Sequence, residues 1–196
     1  AFVLSKPFED EALHQAMLPL LDADIERDEG DAFRPEQIRL PNAPTLEILF
    51  NAFSARPVLI EPVPNSPFHA RWLPCFLAVF VDHASKVRAV AIIDVAGLAI
   101  LGASIDGLDD QLVHEIIKKK AIPKTMMTNT NKLLKVLGTS MMDPFTGDCL
   151  TLKTVNVASK AMPKLENMFN KPSQERVDIE LAVLGYGQGY LTLVCA

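Results

Sequence analysis

The clearest pattern of apolar and polar positions lies near the middle of the chain. Residues 75–82 and 87–94 are two β-rich runs separated by His83-Ala84-Ser85-Lys86, which predicts a β-hairpin. The run 96–103 is small and apolar, suited to a helix lying on the sheet and ending near Gly102. Asp109 or Asp110 opens a further helix carrying Leu112, Val113, Ile116 and Ile117, and Pro123 interrupts it. A second helical stretch, 124–137, is followed by Gly138, a residue common just past a helix end. A strand over 150–157, a short helix over 163–169 and strands over 177–184 and 190–195 complete the chain. The last two strands form a hairpin across Gly185-Tyr186-Gly187-Gln188-Gly189, whose glycines suit a turn needing positive φ.

Upstream, Leu13, Met17, Leu20 and Leu21 recur at roughly helical spacing over residues 8–25, with Pro19 set to kink or end the pattern. Residues 26–44 are charged and punctuated by Pro35, Pro41 and Pro44, the composition of a linker. Thr45 is then placed to cap a short helix with Leu46, Leu49, Phe50 and Phe53 on one face, and Arg56-Pro57 stops it. Prolines at the margins of 58–63 mark an edge strand. The expectation is an α+β domain over 45–196, an antiparallel sheet with a layer of helices, preceded by an acidic helix and linker over 1–44. Neither an internal repeat nor a low-complexity tract interrupts it.

Composition narrows the chemistry. A chain of 196 residues with 49% apolar and 22% charged residues has ample material for one core. Cys75, Cys149 and Cys195 are odd in number and widely spaced, which fits neither a disulfide framework nor a zinc ribbon and suits a reducing cytoplasm. Cys75 and Cys149 sit in apolar strand sequence, as small core residues do. No apolar run is long enough to span a bilayer, and the four histidines fall at no metal-ligand spacing, so neither membrane nor metal is expected. No cofactor motif occurs: the glycine-rich segment 185–189 leads into a strand and lacks the helix N-terminus that would hold a phosphate. Gly-x-Ser-x-Gly and P-loop sequences are absent too.

Charge is the most uneven feature. Glu9, Asp10, Glu11, Asp22, Asp24, Glu26, Asp28, Glu29 and Asp31 make the start acidic. Lys118, Lys119, Lys120, Lys124, Lys132 and Lys135 make the central helices basic, with Glu115 the only acid between Gln111 and Met142. The bland reading is a solvated helix face; the sharper one is a docking surface for an acidic protein. A nucleic-acid-binding module is a further alternative, against which stand the net charge of −5 and the absence of aromatic residues among these lysines.

From Leu46 onward the order of elements resembles the CheC/CheX/FliM family of chemotaxis phosphatases and flagellar switch components. The resemblance is clearest over 89–138, where strands lead through a small apolar helix and the acidic loop Ile105-Asp106-Gly107-Leu108-Asp109-Asp110 into the paired helices. It returns in Val177-Asp178-Ile179-Glu180-Leu181 and Gly189-Tyr190-Leu191-Thr192-Leu193-Val194. The family implies a cytoplasmic signalling or motility protein whose partner is a response-regulator receiver domain or a switch protein, with self-association as a homodimer through sheet or helices. Its active members carry Glu-x-x-Asn on the long helix, the carboxylate pairing with a receiver lysine while the amide orients water toward a phospho-aspartate. This chain departs from that pattern: Met126 stands three before Asn129 and Thr128 three before Asn131, and Glu-x-x-Asn occurs nowhere. Two expectations follow. One is a non-catalytic interaction module that binds through the lysines; the other is a phosphatase using Asn129 or Asn131 with an acid from elsewhere, such as Glu115.

Overall fold

The computed structural model describes residues 38–69, 72–142 and 146–196. The expected acidic helix over 8–25 and most of the linker lie outside these residues. Six strands form one antiparallel sheet: β1 (Val58–Pro62), β2 (Cys75–Val81), β3 (Val87–Asp94), β4 (Thr151–Ala158), β5 (Arg176–Val183) and β6 (Gly187–Cys195). Their spatial order is β1-β5-β6-β3-β2-β4, so β1 and β4 are the edges. Among the described residues the helices are α1 (Ala43–Asn51), α2 (Val95–Asp106), α3 (Asp110–Lys119), α4 (Lys124–Ser140) and α5 (Pro163–Phe169). The α+β class, the antiparallel sheet, both hairpins and the edge position of β1 match the expectation.

Side chains alternate across a strand, so the sheet has two apolar faces. Phe76, Ala78, Phe80, Ala91, Ile93 and Leu191 pack beneath α2 and α4 in the main core. Cys75, Leu77, Val79, Val90 and Ile92 point the other way, into a smaller cluster with Trp72 and with Leu165, Met168 and Phe169 of α5. Because β2 lies between β3 and β4 with both faces covered, all seven of its residues are buried. The buried Arg176 ties the smaller cluster down. It pairs with Asp178 (2.6 Å), donates to the carbonyls of Ser66 and Phe169, and lies over the Phe169 ring, while Thr192 donates to Asp178 (2.6 Å).

Several boundaries differ from expectation for identifiable reasons. The α1 cap is Asn42, whose side chain accepts from the Thr45 amide, and Phe53 lies past the helix, 48% exposed. Gly102 and Gly138 do not end helices, because α2 continues to Asp106 and α4 to Ser140. Both are close-packing positions: a β-carbon on Gly102 would meet the Met126 backbone at 2.7 Å, and one on Gly138 the Leu150 carbonyl at 2.6 Å. Gly107, in the left-handed region, is the residue that caps α2. The final hairpin turns tightly at Leu184–Tyr186, so β6 starts at Gly187 rather than Tyr190. Cys149 is exposed and not a core residue, since it lies before β4 in an isolated antiparallel bridge with Met142.

Candidate functional site

Asp109 caps α3 by accepting from the amides of Gln111 (2.9 Å) and Leu112 (3.3 Å). Val113 and Ile116 turn inward, while Lys118 and Lys119 occupy the last turn, where cations suit the negative end of the helix dipole. Lys120 reverses the chain in the left-handed region at φ 50°, and its ammonium donates to the Leu73 carbonyl (3.1 Å). Pro123 then opens α4. Met126, Asn129, Thr130, Leu133, Leu134 and Leu137 form its buried face. Lys124, Thr128, Lys132 and Lys135, spaced four, four and three apart, form an exposed stripe on the other side. All six sequence-predicted lysines are thus exposed, on two consecutive helices.

The asparagines are placed differently from one another. Asn129 is only 5% exposed, and both ends of its amide are engaged. Its nitrogen donates to Asp106 Oδ2 (2.7 Å) and to the Gly102 carbonyl (3.2 Å), and its oxygen accepts from Lys132 Nζ (3.3 Å). Neighbouring Thr130 donates to the Leu98 carbonyl (3.1 Å), so two polar residues of α4 grip the backbone of α2. The helix crossing at Gly102 brings α2 carbonyls within reach of Asn129, which is why this polar side chain is buried. Asn131 is half-buried, and its side-chain oxygen is enclosed without a hydrogen-bond partner.

The acid that meets an asparagine is Asp106, not Glu115. Glu115 is exposed on α3 and bonds Lys119 (2.7 Å), which holds its carboxyl below the usual carboxylate range. Sequence reading gave Asp106 no role. Gly107 was the available signal, because a glycine cap there puts Asp106 at the last helical position of α2, facing the next helix. A second unforeseen cluster joins three loops. Arg56 pairs with Asp110 and stacks over the Tyr186 ring at 4.7 Å, while the Tyr186 hydroxyl donates to the Leu108 carbonyl (2.6 Å). Burial raises the Tyr186 phenol pKa, with the Arg56 charge opposing. Among the described residues, no three His, Cys, Asp or Glu side chains gather as a metal site, and no helix is long and apolar enough to cross a membrane.

Comparison with solved structures bears on the scaffold. The chain superposes on the FliM middle domain from Vibrio alginolyticus with a TM-score of 0.50 at 14% identity, covering 78% of this chain and 86% of that one. The fold is that of a FliM middle domain. A FliM–SpeE complex from H. pylori matches with the same TM-score at 11% identity, over 78% of this chain and 80% of the other. No family model and no curated protein matches the sequence. At such identities the FliM likeness concerns the backbone alone, which is where the element order from Leu46 onward pointed. It leaves the site to be argued from this chain's own residues.

Proposed function

We propose that this chain is a non-catalytic protein-interaction module on a CheC/CheX-like scaffold, serving bacterial signalling or motility and docking an acidic surface through the lysines of α3 and α4. The observation that carries it is the Asn129 amide, buried and held by Asp106, the Gly102 carbonyl and Lys132, so that both its donors are spent inside the chain. The face outside it presents Lys118, Lys119, Lys124, Lys132 and Lys135. Opposite charge across an interface speeds encounter and fixes orientation, so the fitting partner is a receiver domain, with its acidic phosphorylation pocket, or an acidic switch protein. Calorimetric titration of the full chain against receiver domains and flagellar switch proteins tests it. A complex weakened at least tenfold by K132E/K135E is expected; binding indifferent to that reversal, or no binding to either class, overturns it.

A second reading, phospho-aspartate phosphatase, is favoured by one contact: a carboxylate and an amide do lie side by side at Asp106 and Asn129. In that reading Lys132 and Asp106 release Asn129 when a receiver docks, and the amide positions the attacking water. Loss of label from a phosphorylated receiver, measured with the chain and with its N129A variant, separates the two. Acceleration that the variant abolishes supports the phosphatase; equal rates with and without protein end it.

A further inference from the structure

The lysine stripe has a candidate occupant within the chain. Between Asp22 and Asp31 the sequence carries six carboxylates, Asp22, Asp24, Glu26, Asp28, Glu29 and Asp31, against the single Arg27. The helices from Gln111 to Met142 carry six lysines against Glu115 among the described residues. These are the two most lopsided charge runs in the molecule, and they are opposite in sign.

Their connection is short, and it is anchored at the right place. Ile38 is buried, with its carbonyl accepting from the Cys195 thiol (3.4 Å), and Arg39 bridges to Met142, two residues past the end of α4. The chain that follows the acidic run therefore joins the folded domain beyond the C-terminal end of α4, the end nearer Lys135 than Lys124. Asp31 lies seven residues before Ile38, a tether of at most about 25 Å when extended. The 17 residues of α4 span about 25 Å, so carboxylates from Asp31 back to Asp22 are within range of Lys135, Lys132 and Lys124. A tether of this length sets an effective concentration in the millimolar range, at which even weak ionic contacts are populated.

We propose that residues 22–31 of this chain dock on the lysine stripe of its own α4, occupying the surface an acidic partner would use. The idea rests on that stripe being a docking surface, as argued above. A partner then competes with a tethered acid, and its apparent affinity is lowered by the fraction of chains in the closed state. The contact is ionic and exposed, so salt weakens it as the Debye length shrinks from about 10 Å at 0.1 M toward 3 Å at 1 M.

Zero-length carbodiimide cross-linking of the full chain tests this without a partner, using a mixture of isotopically light and heavy protein. The expected result is amide bonds from carboxylates of 22–31 to Lys132 or Lys135 within single chains, lost at about 0.5 M salt. The Glu115–Lys119 pair, 2.7 Å apart, is the internal control. Links joining light to heavy chains, or the control link alone, overturn the proposal. With a partner in hand, E26Q/D28N/E29Q/D31N raises affinity about tenfold in low salt; unchanged affinity also overturns it. Failure of every partner to bind counts against the docking function only, because the cross-links do not depend on it.

Discussion

Asn129 of α4 donates its side-chain amide to the carboxylate of Asp106, 2.7 Å away at the end of α2. The same nitrogen reaches the Gly102 carbonyl, so one residue closes two polar groups at the crossing of the two helices. A buried polar residue satisfied in this way acts as an interhelical fastener. Replacing Asn129 with alanine removes the donor and leaves the Gly102 carbonyl without it, a loss of about 1–3 kcal/mol. Urea unfolding of N129A measures it directly. N129D loses both donated hydrogen bonds and sets a second carboxyl against Asp106, so its deficit should be at least that of N129A.

Gly189 of β6 and Gly97 of α2 touch backbone to backbone. A β-carbon on Gly189 would lie 2.1 Å from the Gly97 nitrogen, which no side-chain movement relieves. G189A should therefore destabilise by about 3 kcal/mol or more, the upper end of overpacking costs. Two residues earlier, Gly187 has open space around its β-position but a φ of 98°. G187A should cost less, about 1–3 kcal/mol of backbone strain. Thermal unfolding of the pair ranks them, and equal shifts would contradict the packing account.

The contrast between these positions shows what the sequence could disclose. Apolar runs rich in Val, Ile and Phe on either side of His83-Ala84-Ser85-Lys86 made β2 and β3 legible, and proline margins made β1 an edge, because those signals are local. The helix α2 was legible only in part. With nine of its twelve residues buried it has no polar face, so periodicity could not mark its end. The roles of Gly102, Gly138 and Asn129 depend on chain segments far away in sequence, Met126, Leu150 and the α2 carbonyls, that no local window contains. The lysines were readable because a solvent-facing stripe needs only its own helix. Asp106 was not, because its significance comes from the partner it meets.

Arg176 and Asp178 offer a prediction about the second layer. Both side chains are almost completely buried, and Arg176 reaches the carbonyls of Ser66 and Phe169 across the sheet face. Truncating either partner strands the other charge, so D178A and R176A should each cost about 3–5 kcal/mol. The double variant R176M/D178L removes both charges together and should fall well short of the sum. Chemical denaturation of the three proteins decides it. Additive losses would mean that the two side chains act independently.

Thiol chemistry and pH are linked in this fold. Burial pushes the Cys75 thiol up to about 12 and Cys195 up to about 11, with the nearby charges of Asp94 and Glu175 adding to it. Thiols held this high are poor nucleophiles, whereas Cys149 is exposed. A disulfide reagent at neutral pH should therefore modify Cys149 promptly and the other two only on unfolding. The sign of the stability effect follows from proton counting. Between the ordinary thiol value of 9.0 and the raised values, the folded chain binds more protons than the unfolded one. Stability is thus fully retained below pH 9 and falls as pH rises through the window toward 11 and 12. C75A removes the larger contribution, so its unfolding free energy should decline less steeply above pH 9 than that of the parent. An identical slope in the two proteins would place the alkaline loss on groups other than this thiol.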